Sequence, residues 1–224
     1  MVRALKWKKG ELQVIEQFNS TDPKAELSCP LLQDLDGDQT KELIYFSNDY
    51  WEAGKKSTDG VFRKAYKIEE DIRSPQIVFP FGVDNQQGLF SFGSSGFQVI
   101  GKSIMDQVCY LNIHSRYLTD LPKINHGGVD WGDFDNDGAL DLICMDGRKH
   151  VLEFLSFSQP KKEWQSVLHF KVFEEDLHYR GKKGGVNEPR DGIITDLNGD
   201  GKDDLVLLVH DRFLCYYQKE KGSK

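Results

Sequence analysis

The chain has 224 residues, of which 38% are apolar and 29% charged, with a formal net charge of −7. That is a globular composition. It has no apolar run approaching the roughly 20 residues that span a bilayer, and its acidic balance is unlike the basic face of a nucleic-acid binder. Eleven of the carboxylates stand at matching positions of three short segments, and without them basic residues would outnumber acidic ones.

From the N terminus, MVRALKWKKGELQ carries basic residues but no apolar stretch behind them, so it does not read as an intact signal peptide. Residues 4–18, ALKWKKGELQVIEQF, predict a hairpin turning at Lys9-Gly10. Residues 27–32 form a short apolar stretch, and an acidic segment then leads into a buried-strand run, DLDGDQTKELIYF from Asp34. Next comes SNDYWEAGKKSTDG, read as a long loop exposing Tyr50 and Trp51. The stretch VFPFGVDNQQGLFSFGSSGFQV predicts two strands and a turn at residues 93–96. A loop with Asn125 and His126 precedes the strand 128–131 and a second acidic segment, DFDNDGALDLICM from Asp133. A turn at 146–148 and the strand HVLEFLSF follow. The long loop DLHYRGKKGGVNEPR holds Tyr179, Arg180 and Arg190. A third acidic segment, DLNGDGKDDLVLL from Asp196, is followed by a turn at 210–212 and the strand FLCYYQ.

The three acidic segments align without gaps on D-x-[DN]-x-D-x-x-x-[DE]-L, and fixed-period similarity of this kind marks repeat architectures. A degenerate fourth copy fills the first gap if Gly88 is laid on Asp141, which puts Pro80, Gly82 and Asp84 where the other copies carry acids. Repeat loops then stand at 34–42, 80–88, 133–141 and 196–204. No stretch has an amphipathic helical period. The expectation is an all-β chain, residues 1–224 as one β-propeller domain. It would have about four four-stranded blades, each with a calcium loop between strands 1 and 2. The last unit ends short of a fourth strand, which an N-terminal strand would complete.

Alternate positions of a tight loop can turn their oxygens to one centre. A carbonyl at position 7 and a carboxylate at position 9 would close an oxygen shell of the kind Ca²⁺ takes. The ligand sets are Asp34, Asp36, Asp38, Glu42 and the Thr40 carbonyl; Asp133, Asp135, Asp137, Asp141 and the Ala139 carbonyl; and Asp196, Asn198, Asp200, Asp204 and the Lys202 carbonyl. About three calcium ions are expected, with the degenerate copy empty. Gly138 and Gly201 stand at position 6 for the sharp turn, where the first loop has Gln39. The loops contain no His or Cys, which disfavours zinc and copper. Position 12 is Tyr45, Cys144 or Leu207 rather than the Glu of an EF-hand.

With these motifs the chain resembles FG-GAP/VCBS-type repeat proteins, whose calcium-binding blades also build integrin alpha-subunit propellers. The resemblance covers about residues 28–217, and the segment from Asn187 to Gln218 is similar to bacterial, often exported, VCBS-like proteins. It implies a propeller, calcium at the residues named, and an extracellular or cell-envelope setting.

The four cysteines form no C-x-x-C pair and read as buried free thiols. No nucleophile elbow, zinc-protease motif or phosphate loop is present. The chain is therefore expected to be a calcium-stabilised module that binds a protein or glycan rather than an enzyme, with a carbohydrate-active or other hydrolase as the alternative. The binding face would lie opposite the calcium loops and would use Tyr50, Trp51, Asn125, His126, Tyr179, Arg180 and Arg190, since long loops on a rigid scaffold carry function. The competing role for these side chains is structural, with Trp51 packed back on its own sheet and Arg190 paired with a carboxylate.

Overall fold

A computed structural model of the chain describes residues 2–18, 24, 27–47, 50–59, 62–69, 75–83, 86–105, 108–158, 160–172, 188–209 and 212–219; at 64, 69, 81–83, 86–87, 102–105 and 108–111 this is backbone only. Among these residues there are strands and turns but no helix, so the expected all-β class holds.

The first sheet is a hairpin of β1 (Val2–Lys8) and β2 (Glu11–Phe18), with Lys8 opposite Glu11. Lys9 and Gly10 both have positive φ, the backbone of a two-residue turn whose twist matches its strands. Three four-stranded sheets follow in chain order. They are β3 (Ser28–Gln33), β4 (Glu42–Ser47), β5 (Tyr50–Lys56) and β6 (Phe62–Glu69); then β7 (Pro75–Val83), β8 (Gln86–Gly93), β9 (Gly96–Met105) and β10 (Val108–Leu118); then β11 (Gly128–Gly132), β12 (Asp141–Asp146), β13 (Val151–Ser158) and β14 (Glu163–Lys171). The last sheet has three strands, β15 (Asp191–Thr195), β16 (Asp204–Val209) and β17 (Arg212–Tyr216). In all of them each strand pairs with its neighbours in sequence.

In the three sheets that open with an acidic segment the second strand is the most buried. β12 is buried at every residue, and β4 and β16 nearly so, which is why these strands are apolar without alternation. The chain divides into two compact units, Met1–Ser91 with Gln98–His114, and Phe92–Phe97 with Ser115–Lys224. The first unit's core gathers Leu35, Ile44, Trp51, Ala53, Leu89 and Ile100. The second is built on Ile143, Leu152, Leu205, Leu207 and Val209.

Several expectations are corrected here. Tyr50 and Trp51 begin strand β5 rather than hang in a loop, because Trp51 fills the first core against Phe46, ring centroids 5.3 Å apart. Pro80 and Gly82 lie inside strand β7, and β8 resumes at Gln86, so 80–88 is a short hairpin connection and not a nine-residue loop. Without carboxylates at those positions nothing holds a wide loop in place. Asp84 lies outside the described residues. The N-terminal strand β1 pairs with β2, which its tight turn brings alongside, and the last sheet has three strands. Of the described thiols, Cys144 is buried, Cys29 half-buried and Cys215 exposed, all three unpaired.

Candidate metal centre

The three acidic segments connect the first and second strands of their sheets: β3 to β4, β11 to β12, and β15 to β16. Each is folded by its own carboxylates. The aspartate at position 1 accepts backbone N–H groups from the loop ahead. Asp34 takes those of Gly37 (2.7 Å), Asp38 (3.1 Å) and Gln39 (2.8 Å). Asp133 takes those of Asp137 (3.1 Å) and Gly138 (2.9 Å). Asp196 takes those of Gly199 (2.7 Å), Asp200 (3.1 Å) and Gly201 (2.9 Å). These donors, the Gly201 amide foremost, hold the Asp196 carboxyl below its usual range. The aspartate at position 5 accepts the amide of position 7 in all three: Thr40 to Asp38, Ala139 to Asp137 and Lys202 to Asp200.

Position 9 closes each loop back on position 2. Glu42 Oε2 accepts the Leu35 amide at 2.8 Å, Asp141 Oδ2 that of Phe134 at 3.1 Å, and Asp204 Oδ2 that of Leu197 at 3.1 Å. The second oxygen distinguishes the loops. Glu42 Oε1 and Asp141 Oδ1 are buried with no hydrogen-bond partner, whereas Asp204 Oδ1 accepts the Gln218 amide at 2.9 Å. Burial pushes the Glu42 carboxyl up, and the nearby negative charges of Asp36 and Asp38 add to it while the Leu35 amide opposes them. Asp141 is raised the same way, by burial first and then by Asp135 and Asp137, against the Phe134 amide and the nearby Ser156 hydroxyl, which does not reach hydrogen-bond geometry with it.

Two groups of carboxylate oxygens converge to within 4.8 Å of one another and could hold a metal ion: Asp34, Asp36 and Glu42, and Asp133, Asp135 and Asp141. An orphaned oxygen of a fully buried acid in each group is what a cation would satisfy, and an all-oxygen donor set suits a hard divalent ion. In the third loop Asn198 stands at the central position, its Oδ1 accepting the Asp200 amide at 2.9 Å, so carboxylates alone form no such group there.

The first loop also contains a protein cation. Lys55 Nζ lies 2.6 Å from Asp36 Oδ2 and also pairs with Asp38, and Tyr66 donates to Asp36 Oδ2 at 2.8 Å. Although partial burial works the other way, these aspartates hold Lys55 protonated well above the usual lysine range. Asp38 is held low in return, by Lys55 first and the Thr40 amide second.

Residues at positions 4 and 6 of the loops turn through positive φ: Gly37 and Gln39, Asn136 and Gly138, Gly199 and Gly201. Position 4 carries Gly37, Asn136 and Gly199, residue types that favour this backbone, a signal legible in the sequence beside the acids. Gln39 at φ 70° pays for its side chain in a left-handed backbone. We expect Gln39→Gly, which keeps the amide bonded to Asp34, to stabilise the fold by about 0.5–1 kcal/mol. A denaturant midpoint at or below that of the wild type would contradict this.

The residues expected on a binding face are dispersed. Trp51 and His126 are only 2% and 1% exposed and so offer no surface to a ligand. Trp51 belongs to the first core. His126 Nε2 lies 3.0 Å from Glu153 Oε2, and its ring stacks near Phe92. Tyr50 is half-buried under the Lys67 ammonium, 3.2 Å from its ring centroid. Asn125 is exposed, its backbone N–H donating to Asp146 Oδ2 at 2.8 Å. Arg190 is exposed and pairs with Glu188 at 3.1 Å. Tyr179 and Arg180 lie outside the described residues.

The chain matches no protein-family model, and no curated protein shows significant similarity to it.

Proposed function

We propose that the chain is a calcium-stabilised β-propeller of the FG-GAP/VCBS type, acting as a non-catalytic module for a protein or glycan partner outside the cell or at the cell envelope. The observation that carries the metal reading is the pair of buried, unpartnered oxygens, Glu42 Oε1 and Asp141 Oδ1, each facing a cluster of carboxylates. Calcium fits better than zinc or copper because every donor is oxygen, and better than magnesium because the carboxylates are many. The third loop would add an ion with Asn198 in place of one charge. Three ions would bring the formal charge from −7 to −1.

The propeller reading rests on sheet order. Four successive meanders follow the hairpin, three of them opening with the same acidic loop. Within the first unit β3 lies alongside β7, and within the second β11 lies alongside β15, so first strands of consecutive sheets are neighbours, as in a propeller's inner ring. The binding surface would draw on the exposed Asn125 and Arg190 and on the Tyr50 edge.

The test is a glycan and protein panel scored for both retention and cleavage. Calcium-dependent retention without cleavage is expected, weakened at least about tenfold by a combined Tyr50→Ala and Arg190→Ala variant that melts normally. Cleavage of any glycan would replace the module with a hydrolase, and equal binding by the variant would move the surface elsewhere.

A further inference from the structure

Lys55 is set where only the first loop has a charge. In the β4–β5 register Leu43 faces Gly54, so Lys55 is the next residue along β5. The same register step gives Ser156 in the third four-stranded sheet, where Leu142 faces Leu155, and Tyr217 after the last sheet, where Leu205 faces Tyr216. From that position Lys55 reaches both Asp36 Oδ2 and Asp38 Oδ2, and Tyr66 fixes the Asp36 oxygen from another side. Glu42 Oε1, fully buried, remains without a partner in the same cluster.

We propose that the Lys55 ammonium is a built-in rival of the metal ion at the first loop, so that this loop is self-neutralised and takes a divalent cation only when Lys55 withdraws. This rests on the calcium reading and adds to it a rule for which loop fills last. An ammonium and a divalent ion both need the Asp36 and Asp38 oxygens, and two cations a few ångströms apart repel strongly in a partly buried site. Withdrawal is open to Lys55, because its side chain is one-third exposed and its long stem can carry the charge to water. The second loop has the neutral Ser156 at this step. The first loop is thus a weak, late-filling site despite its four acids, and it keeps its shape without the ion.

The test is calcium titration of the whole chain by equilibrium dialysis, with wild type, Lys55→Met and Lys55→Arg compared. Lys55→Met should gain a site, or tighten one, by about tenfold or more, and adding Glu42→Gln should remove it again. Lys55→Arg, which keeps the cation, should behave as wild type. In excess chelator Lys55→Met should melt below wild type and recover with calcium; if it does not fold at all, Lys55→Gln takes its place. Equal numbers and affinities of ions in wild type and Lys55→Met would overturn the inference while leaving the calcium reading intact, provided an ion is still lost on Asp141→Asn. No calcium bound by either protein would overturn both.

Discussion

Chelation is expected to lower the melting temperature by about 10–20 °C, and calcium to restore it. An ion bound only by the folded state stabilises it by about 2.7 kcal/mol at a hundredfold excess over Kd, so two filled loops give roughly 5 kcal/mol. For a chain of this size each kcal/mol moves the midpoint by about 2–4 °C. Most of this gain comes from the second and third loops, since Lys55 already neutralises the aspartates of the first; Glu42 and Asp141 are the buried acids whose second oxygens have no partner. Their pH signature has a definite sign. Without metal both carboxyls are raised in the folded state, so their contribution is present at low pH and lost as pH rises through the region just above the ordinary carboxylate range. Mild acid should therefore favour these two groups in chelator, and in calcium it should expel the ion and destabilise. Thermal scans at several pH values, with and without calcium, read both signs. An identical melting curve in excess chelator, with metal content measured as zero, would refute the calcium role.

The second large effect is expected at Glu153, inside the second unit. Its carboxylate is completely buried and receives the Tyr117 hydroxyl at 2.6 Å and the Thr119 hydroxyl at 2.9 Å, with His126 Nε2 3.0 Å away but out of line for a hydrogen bond. Burial pushes the group up, but His126, Tyr117 and Thr119 outweigh it and hold Glu153 down at about 2. A depressed folded value means stability that is full above the unfolded range near pH 4.5 and lost as pH falls toward 2. Glu153→Gln should cost about 3 kcal/mol at neutral pH, since removing one partner of a buried polar group strands the others. The midpoint should drop by about 6–12 °C. The variant should also lose stability less steeply between pH 4.5 and 2 than wild type, and because the loop carboxylates are common to both proteins their titration cancels in the comparison. Parallel acid curves for the two proteins would show that Glu153 is not held as described.

The strands following the loops were legible because they are apolar without interruption, and the loops because their acids recur at fixed spacing. The hairpin at Lys9-Gly10 was visible in its turn residues. What the chain order of residue types hides is which oxygen meets which neighbour. Glu42 and Asp204 look equivalent in a repeat alignment, yet Gln218 satisfies one and nothing satisfies the other. Lys55 lies 17 residues past Asp38 in sequence and meets it only through the β4–β5 register. Tyr50 and Trp51 misled because polar and glycine-rich neighbours suggested a loop where β5 begins; His126 does lie in a loop, ahead of β11, but like Trp51 it fills space set by side chains from other strands. Asn136 and the glycines of position 4 were readable but passed over in favour of the acids around them.

The meander order of the sheets bears on how the chain acquires its structure. Among the described strands, each hydrogen-bonds to strands adjacent to it in sequence, and none of these pairings waits for a distant segment. Loop-closure entropy is then small at each step, and folding rate falls with the sequence separation of contacts. A sheet can assemble soon after its last strand leaves the ribosome, in the order β1–β2, β3–β6, β7–β10, β11–β14, β15–β17. The acidic loops lie between the first two strands of their sheets, so the repulsion among their carboxylates acts at the earliest closure of each.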